Sequence, residues 1–235
     1  MFKFILNLGE AMKKNTVINL ITRILILFFL VGIVFELNKL FLSIERTELI
    51  FPYDSFYHVR IDINHSSSPY DESSLFDISA TGSGTAIGYL PDGTMAVLTA
   101  DHVCNPRPFM YMSLNEYEKE ITLVNFYGEE RKAEVVLYDY EKDLCILSVE
   151  DTEVTPVRIS WGAVSYGEKV YNTAAPMSLF SPGMVPLLDG YYSGDMDDDS
   201  IYSIPAAPGS SGSGIFDSKG RLVGMIHSSI RGFPN

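Results

Sequence analysis

From residue 57 onward the chain is a succession of short segments, apolar or alternating in polarity, divided by turn signals, and few folds accommodate that pattern. Tyr57-His-Val-Arg-Ile-Asp-Ile63 alternates and predicts a β-strand. Further strands are predicted at Ser83–Tyr89, Met95–Thr99, Ile121–Phe126, Glu134–Tyr138, Leu144–Val149, Lys169–Thr173, Val185–Tyr192, Ser200–Ile204, Ile215–Asp217 and Leu222–Ser229. Pro91-Asp-Gly93 marks a hairpin turn between two of them, and the stretch Ser66 to Ser74 is a loop by composition. Short strands separated by turns indicate an all-β barrel or sandwich.

The N-terminal part is different. Ile24 to Phe35 carries no polar side chain, and the apolar region extends back to Val17 and forward to Leu42 at the cost of a few polar residues. A helix of that length spans the ~30 Å hydrocarbon layer of a bilayer. The rival reading, a cleaved signal peptide, needs a small-residue cleavage site after the apolar run, and Phe35 to Leu42 offers none. The organisation expected is a cytoplasmic tail (1–16), a transmembrane signal anchor (17–42), a connector (43–54) and a folded part from residue 55. Lys3, Lys13, Lys14 and Arg23 oppose only Glu10 before residue 36, so the N-terminus should remain in the cytoplasm and the folded part should face the periplasm or the exterior. The whole chain carries a formal net charge of −13, which disfavours nucleic acid as a partner. Asp195, Asp197, Asp198 and Asp199 form the densest acidic run, but no metal-ligand spacing is met and a solvated loop is the expectation; no metal site is expected.

Three segments carry chemistry. Leu98-Thr-Ala-Asp-His102-Val103 presents a histidine, Asp143 opens the apolar run Leu144-Cys-Ile-Leu147, and Gly209-Ser-Ser211-Gly-Ser-Gly214 presents a serine in a glycine-rich turn. A serine hydroxyl is a weak nucleophile until a base takes its proton, and histidine oriented by a carboxylate is the usual base. A tight turn through Gly209 and Ser211 aims two backbone N–H groups at one point, where a developing oxyanion would sit. Asp139, in the turn before Asp143, competes for the carboxylate role; Asp143 is preferred because the strand it opens can carry its side chain beside the histidine.

These segments resemble trypsin-like serine proteases of the chymotrypsin fold, in the HtrA-type and glutamyl-endopeptidase branches. Thr99-Ala-Asp-His102-Val103 is similar to the family's base segment, Lys132 to Leu147 to its carboxylate segment, and Gly209 to Gly214 to its nucleophile turn. Gly82-Ser-Gly-Thr-Ala-Ile87 looks like the strand before the histidine, and Ser218 to Met225 like the hairpin after the nucleophile. The resemblance covers residues 55–235 and implies two antiparallel β-barrels with the active site between them. Residues 55–150 would carry His102 and Asp143, and residues 151–235 would carry Ser211 and the oxyanion hole of Gly209 and Ser211. Gly214 departs from the family's usual proline, and Ser210 replaces the aspartate through which cleavage-activated relatives bind a freed N-terminus, so activation by trimming is not expected. Only five strands are predicted in the second barrel; its last strand is missing, through truncation or through closure by another segment.

The implied activity is a cofactor-independent serine endopeptidase acting on proteins or peptides and attached to a membrane by its N-terminal helix. A pseudoprotease that binds peptides without cleaving them is the alternative. By the family's spacing Pro205 lies at the base of the specificity pocket, with Ala206 beside it and His227, Ser228 and Ser229 on the facing strand. None of these pairs with a basic substrate side chain. His227 is one residue out of register with the histidine that binds acidic side chains in glutamyl endopeptidases, and one residue reverses the face of a strand. Contact between His102 and Asp143 would bring Cys104 and Cys145, the only two cysteines, into one neighbourhood, where a disulfide is expected; two buried free thiols are the alternative.

Overall fold

The computed structural model describes residues 26–37, 51–65, 78–106 and 117–228. The chain divides into two compact units, residues 1–48 and residues 49–235. In the first, residues 26–37 form a helix with apolar side chains exposed along its length. No helix among the described residues is long and apolar enough to cross a membrane. Residues 17–25 and 38–42 of the expected anchor, and the loop from Ser66 to Ser74, lie outside the described residues.

Among the described residues the second unit contains eleven antiparallel strands. Six of them, β1 (Phe56–His65), β2 (Ile78–Tyr89), β3 (Met95–Thr99), β4 (Tyr117–Asn125), β5 (Glu130–Asp139) and β6 (Leu144–Val149), form a closed barrel in the order β1-β2-β3-β6-β5-β4. Alternation along each strand fills its interior, because successive side chains point to opposite faces. Tyr57, Val59, Ile61 and Ile63 from β1 meet Leu123, Val97, Leu147 and Val149 there. Each such side chain, fully buried, contributes about 1.5–3 kcal/mol. The start of β5 is charged on its outer face: Lys132 pairs with Glu120 on the neighbouring β4, and Glu130 pairs with Arg60, which reaches across β4 from β1. Bulges in β2 at Ala86–Gly88 and in β5 at Val135–Leu137 bend those strands, which assists closure.

The remaining strands, β7 (Lys169–Thr173), β8 (Leu187–Met196), β9 (Asp199–Tyr202), β10 (Gly214–Phe216) and β11 (Leu222–Met225), form one sheet in the order β11-β10-β7-β8-β9. Two barrels were expected; among the described residues only the first closes, and the second is an open five-stranded sheet. The outer edge of β11 is met by the segment around Ile159, where Ser160 N–H donates to Leu222 O and Leu222 N–H to Arg158 O, both at 2.8 Å. Phe51, from the segment expected to be a connector, packs edge-on against Phe216 and Tyr171, so the folded part begins ahead of residue 55. Phe51, Ile87 and Leu98 gather on Val157, Phe216 and Leu222, joining barrel and sheet through one apolar cluster.

Candidate active site

β3 and β6 are paired, with Thr99 opposite Cys145, so the end of one strand lies beside the start of the other. Past Thr99 the chain enters a helical turn, Asp101–Cys104, that carries His102. Ahead of Leu144 it passes through a turn that ends at Asp143, in the left-handed region at φ 51. Aspartate is among the few non-glycine residues enriched there. The Asp143 carboxylate holds the histidine twice: Oδ1 accepts the His102 backbone N–H at 2.9 Å, and Oδ2 lies 2.7 Å from His102 Nδ1. With Nδ1 turned to the carboxylate as donor, Nε2 is left as the basic nitrogen. The His102 side chain is 50% exposed, so that nitrogen is accessible to solvent or substrate. Cys104 and Cys145, both fully buried, form a disulfide with a Cα separation of 6.5 Å, as expected. Asp139 plays a different part, since its Oδ1 accepts the backbone N–H groups of Glu141 and Lys142 and caps the turn. An open pocket of about 570 Å³ borders the pair, lined by Asp101, His102, Pro106, Tyr140 and Asp143.

The glycine-rich turn discriminates among its three serines. Ser210 is buried and its Oγ accepts the Ala207 N–H at 3.2 Å. Ser213 is buried too; its Oγ donates to Ser210 O at 2.6 Å and accepts from Asn172 Nδ2 at 2.8 Å. Ser211 is half-buried, and its Oγ has no hydrogen-bond partner among the described residues, His102 included. The backbone donors divide the same way. The N–H groups of Ser210, Gly212, Ser213 and Gly214 all donate within the fold. Those of Gly209 and Ser211 do not, among the described residues, and they are the pair expected to hold an oxyanion.

Two glycines are required for this shape. Gly212 has φ 87, and a Cβ there would run into Ser83 O and Thr99 Oγ1. Gly209 has φ 93, and a Cβ there would run into Ala175 O. The turn therefore lies directly on β2 and on the segment that leads to His102. Gly82 makes the same point from the other side, since its Cβ position is 2.5 Å from Val103 and 3.2 Å from Ser211 O. Sequence reasoning assigned no role to Ser83, which turns out to bracket the turn. Its N–H donates to Ser211 O at 2.8 Å, its Oγ donates to Gly209 O at 2.8 Å and accepts from Ala175 N–H at 3.0 Å, and its carbonyl accepts from Thr99 Oγ1. The available signal was the polar residue between two glycines in Gly82-Ser-Gly84.

The specificity candidates separate in space. Pro205 is exposed, whereas Ala206 packs against the cluster of Val170, Ile215 and Ile226. Ser228 is exposed and Ser229 lies outside the described residues. His227 meets two carboxylates, with Nδ1 3.9 Å from Asp143 Oδ2 and Nε2 3.3 Å from Asp199 Oδ1. Asp199 belongs to the acidic run, which forms the tip of the β8–β9 hairpin. His58 is an ordinary strand residue: its ring stacks on Phe180, and burial, then the nearby Arg60 charge, push its pKa down.

The sequence model of a family described as trypsin-like peptidase domain matches residues 82–225. No curated protein matches. Among solved structures, the serine endoprotease from Yersinia pestis is similar with a TM-score of 0.57 and 19% identity, over 78% of this chain and 57% of that one. That likeness is one of fold, and this chain spans little more than half the length of that protein.

Proposed function

Since the chain belongs to the trypsin-like peptidase domain family, we propose that it is a membrane-anchored serine endopeptidase that cleaves peptide bonds through an acyl-enzyme on Ser211. His102 Nε2 takes the Ser211 hydroxyl proton as Oγ attacks the scissile carbonyl, then gives it to the leaving amine. Asp143 orients the imidazole and stabilises the imidazolium. The Gly209 and Ser211 N–H groups receive the oxyanion of the tetrahedral intermediate. Water then repeats the sequence and frees the acid product. The observation that carries this reading is the turn itself, where the Ser211 hydroxyl and those two N–H groups are uncommitted while the neighbouring donors are all used. Hydrogen bonds between nucleophile and base are often long until substrate is present, so the unbonded Ser211 Oγ is compatible with catalysis.

The test is labelling of the full-length chain with a fluorophosphonate probe. Labelling should be strong in the wild type and absent in Ser211→Ala, with turnover of a peptide substrate falling by on the order of a millionfold. A wild type that resists the probe yet binds peptides would instead be the pseudoprotease. Labelling retained in Ser211→Ala and lost in a Ser210 or Ser213 variant would reassign the nucleophile.

Cleavage is expected after small or medium apolar side chains, since Pro205 and Ala206 offer no charge to a basic residue. An apolar pocket separates aliphatic side chains by only about tens to hundreds of fold per methylene. A peptide-library profile checks this, and one dominated by Lys, Arg or Glu would overturn it. The apolar helix 26–37, exposed along its length, supports attachment to a membrane through residues 17–42. The charge bias around it supports a peptidase unit outside the cytoplasm.

A further inference from the structure

Two imidazoles converge on one oxygen of Asp143. Oδ2 lies 2.7 Å from His102 Nδ1 and 3.9 Å from His227 Nδ1. The far side of the His227 ring faces a second carboxylate, with Nε2 3.3 Å from Asp199 Oδ1. The backbone beside His227 is fixed to the nucleophile turn: Ile226 N–H donates to Ser213 O at 2.9 Å and Ile226 O accepts from Gly212 N–H at 2.7 Å. This places the ring opposite the turn between β5 and β6. The titratable groups that face it are Asp143 from that turn, Asp199 from the β8–β9 hairpin and, across the shared oxygen, His102 from the helical turn. Among the described residues no lysine or arginine forms an ion pair with any of the three.

We propose that His227 is a positioning residue that controls, through its own protonation, how much of the Asp143 charge serves His102. The proposal rests on reading His102, Asp143 and Ser211 as the catalytic triad, and it gives His227 a role other than substrate binding. A contact of 3.9 Å is too long for a hydrogen bond, so the His227–Asp143 interaction acts through charge. Charge attracts only the protonated ring, and two carboxylates attract it from opposite sides. Once protonated, His227 offsets the negative charge that Asp143 offers to His102. His102 then binds a proton less readily, and the imidazolium formed during acyl transfer is stabilised less. The acid limb of the activity profile should then spread over a wider pH range than one independent histidine would give.

The test compares kcat/KM against pH for the full-length wild type, His227→Gln, Asp199→Asn and the double variant. In His227→Gln the acid limb should sharpen to a single-proton transition and move to higher pH by a few tenths to about one unit, the size expected from losing one nearby, partly screened like charge. Asp199→Asn should move it in the same direction and, on the His227→Gln background, add nothing. A limb that superimposes on the wild type in His227→Gln, or a further full shift from Asp199→Asn in the double variant, overturns the proposal. Following the His102 ring signal by NMR across the same pH range in full-length wild type and His227→Gln needs no turnover. A protein inactive in every form would sink the triad reading, while this titration would still decide the coupling: an upward move of the His102 midpoint supports it, and coincident curves refute it.

Discussion

At the scale of single residues, the site depends as much on polar groups that are spent as on those left free. Ser83 illustrates this, because one side chain and its backbone tie β2 to Gly209, Ser211, Ala175 and Thr99 at once. Ser83→Ala would leave Gly209 O and Ala175 N–H without their partner in a buried setting. Unpaired buried groups of this kind cost about 1–3 kcal/mol. Stability should therefore fall by about 2 kcal/mol, and the Gly209 N–H should lose its aim. Complete removal of one oxyanion donor typically costs about a hundred- to a thousandfold in turnover. A misaimed donor should cost less, so kcat should drop by roughly ten- to a hundredfold with KM little changed. Steady-state kinetics beside urea unfolding check both halves; an unchanged kcat would show that the turn keeps its shape without Ser83. This bracket was only partly legible beforehand. Gly82-Ser-Gly84 stands out in the sequence, but its bonds reach as far along the chain as Ser211 and depend on packing that no local pattern records. The same holds for His227, whose two carboxylate neighbours come from separate elements.

At the scale of elements, the strands were legible because a half-buried strand writes its two faces into the sequence. β3, β6 and β7 fall where alternation and β-branched content place them. β5 runs back to Glu130, beyond the predicted start at Glu134, because Glu130, Arg131 and Lys132 look like loop residues until their partners across the sheet are known. β8 and β9 are displaced for a similar reason: the acidic run suggested a solvated loop, yet Met196 pairs with Asp199 at a hairpin tip, and Asp199 brings its carboxylate to His227. Where alternation is absent, the elements were found by resemblance and by chemistry. The disulfide is a case in point, joining the helical turn of His102 to the strand that follows Asp143 across 41 residues. In the chain-entropy account, a loop of that size removes about 4 kcal/mol of freedom from the unfolded state. Replacing both cysteines by serine should shift the urea midpoint by a corresponding amount, and reductant should have the same effect on the wild type and none on the variant. Equal unfolding curves with and without reductant would show that the bond contributes nothing to stability.

At the scale of the whole molecule, two units of different construction are joined in one chain. Residues 26–37 expose Phe28, Phe29, Val31 and Val34, whereas the barrel and the sheet each enclose a cluster of buried apolar side chains. An all-round apolar helix is stable against water only when something apolar surrounds it. Residues 49–235 contain the apolar clusters of barrel and sheet, every described strand, the disulfide and each residue placed in the active site. Deleting residues 1–48 should therefore move the protein from the membrane fraction to the soluble fraction while leaving fluorophosphonate labelling of Ser211 intact. Phe51 must be kept, because its ring packs on Phe216 and Tyr171 and its loss would open the cluster between barrel and sheet. Fractionation of cells expressing each form, followed by labelling, separates the possibilities. A shortened chain that still sediments with membranes would place the attachment on the peptidase unit, and one that is soluble but unlabelled would show that the N-terminal unit supports the active site as well as the anchor. In the full-length protein, added protease should reach residues 49–235 only from the side opposite the cytoplasm; digestion from the cytoplasmic side alone would reverse the topology that Lys3, Lys13, Lys14 and Arg23 imply.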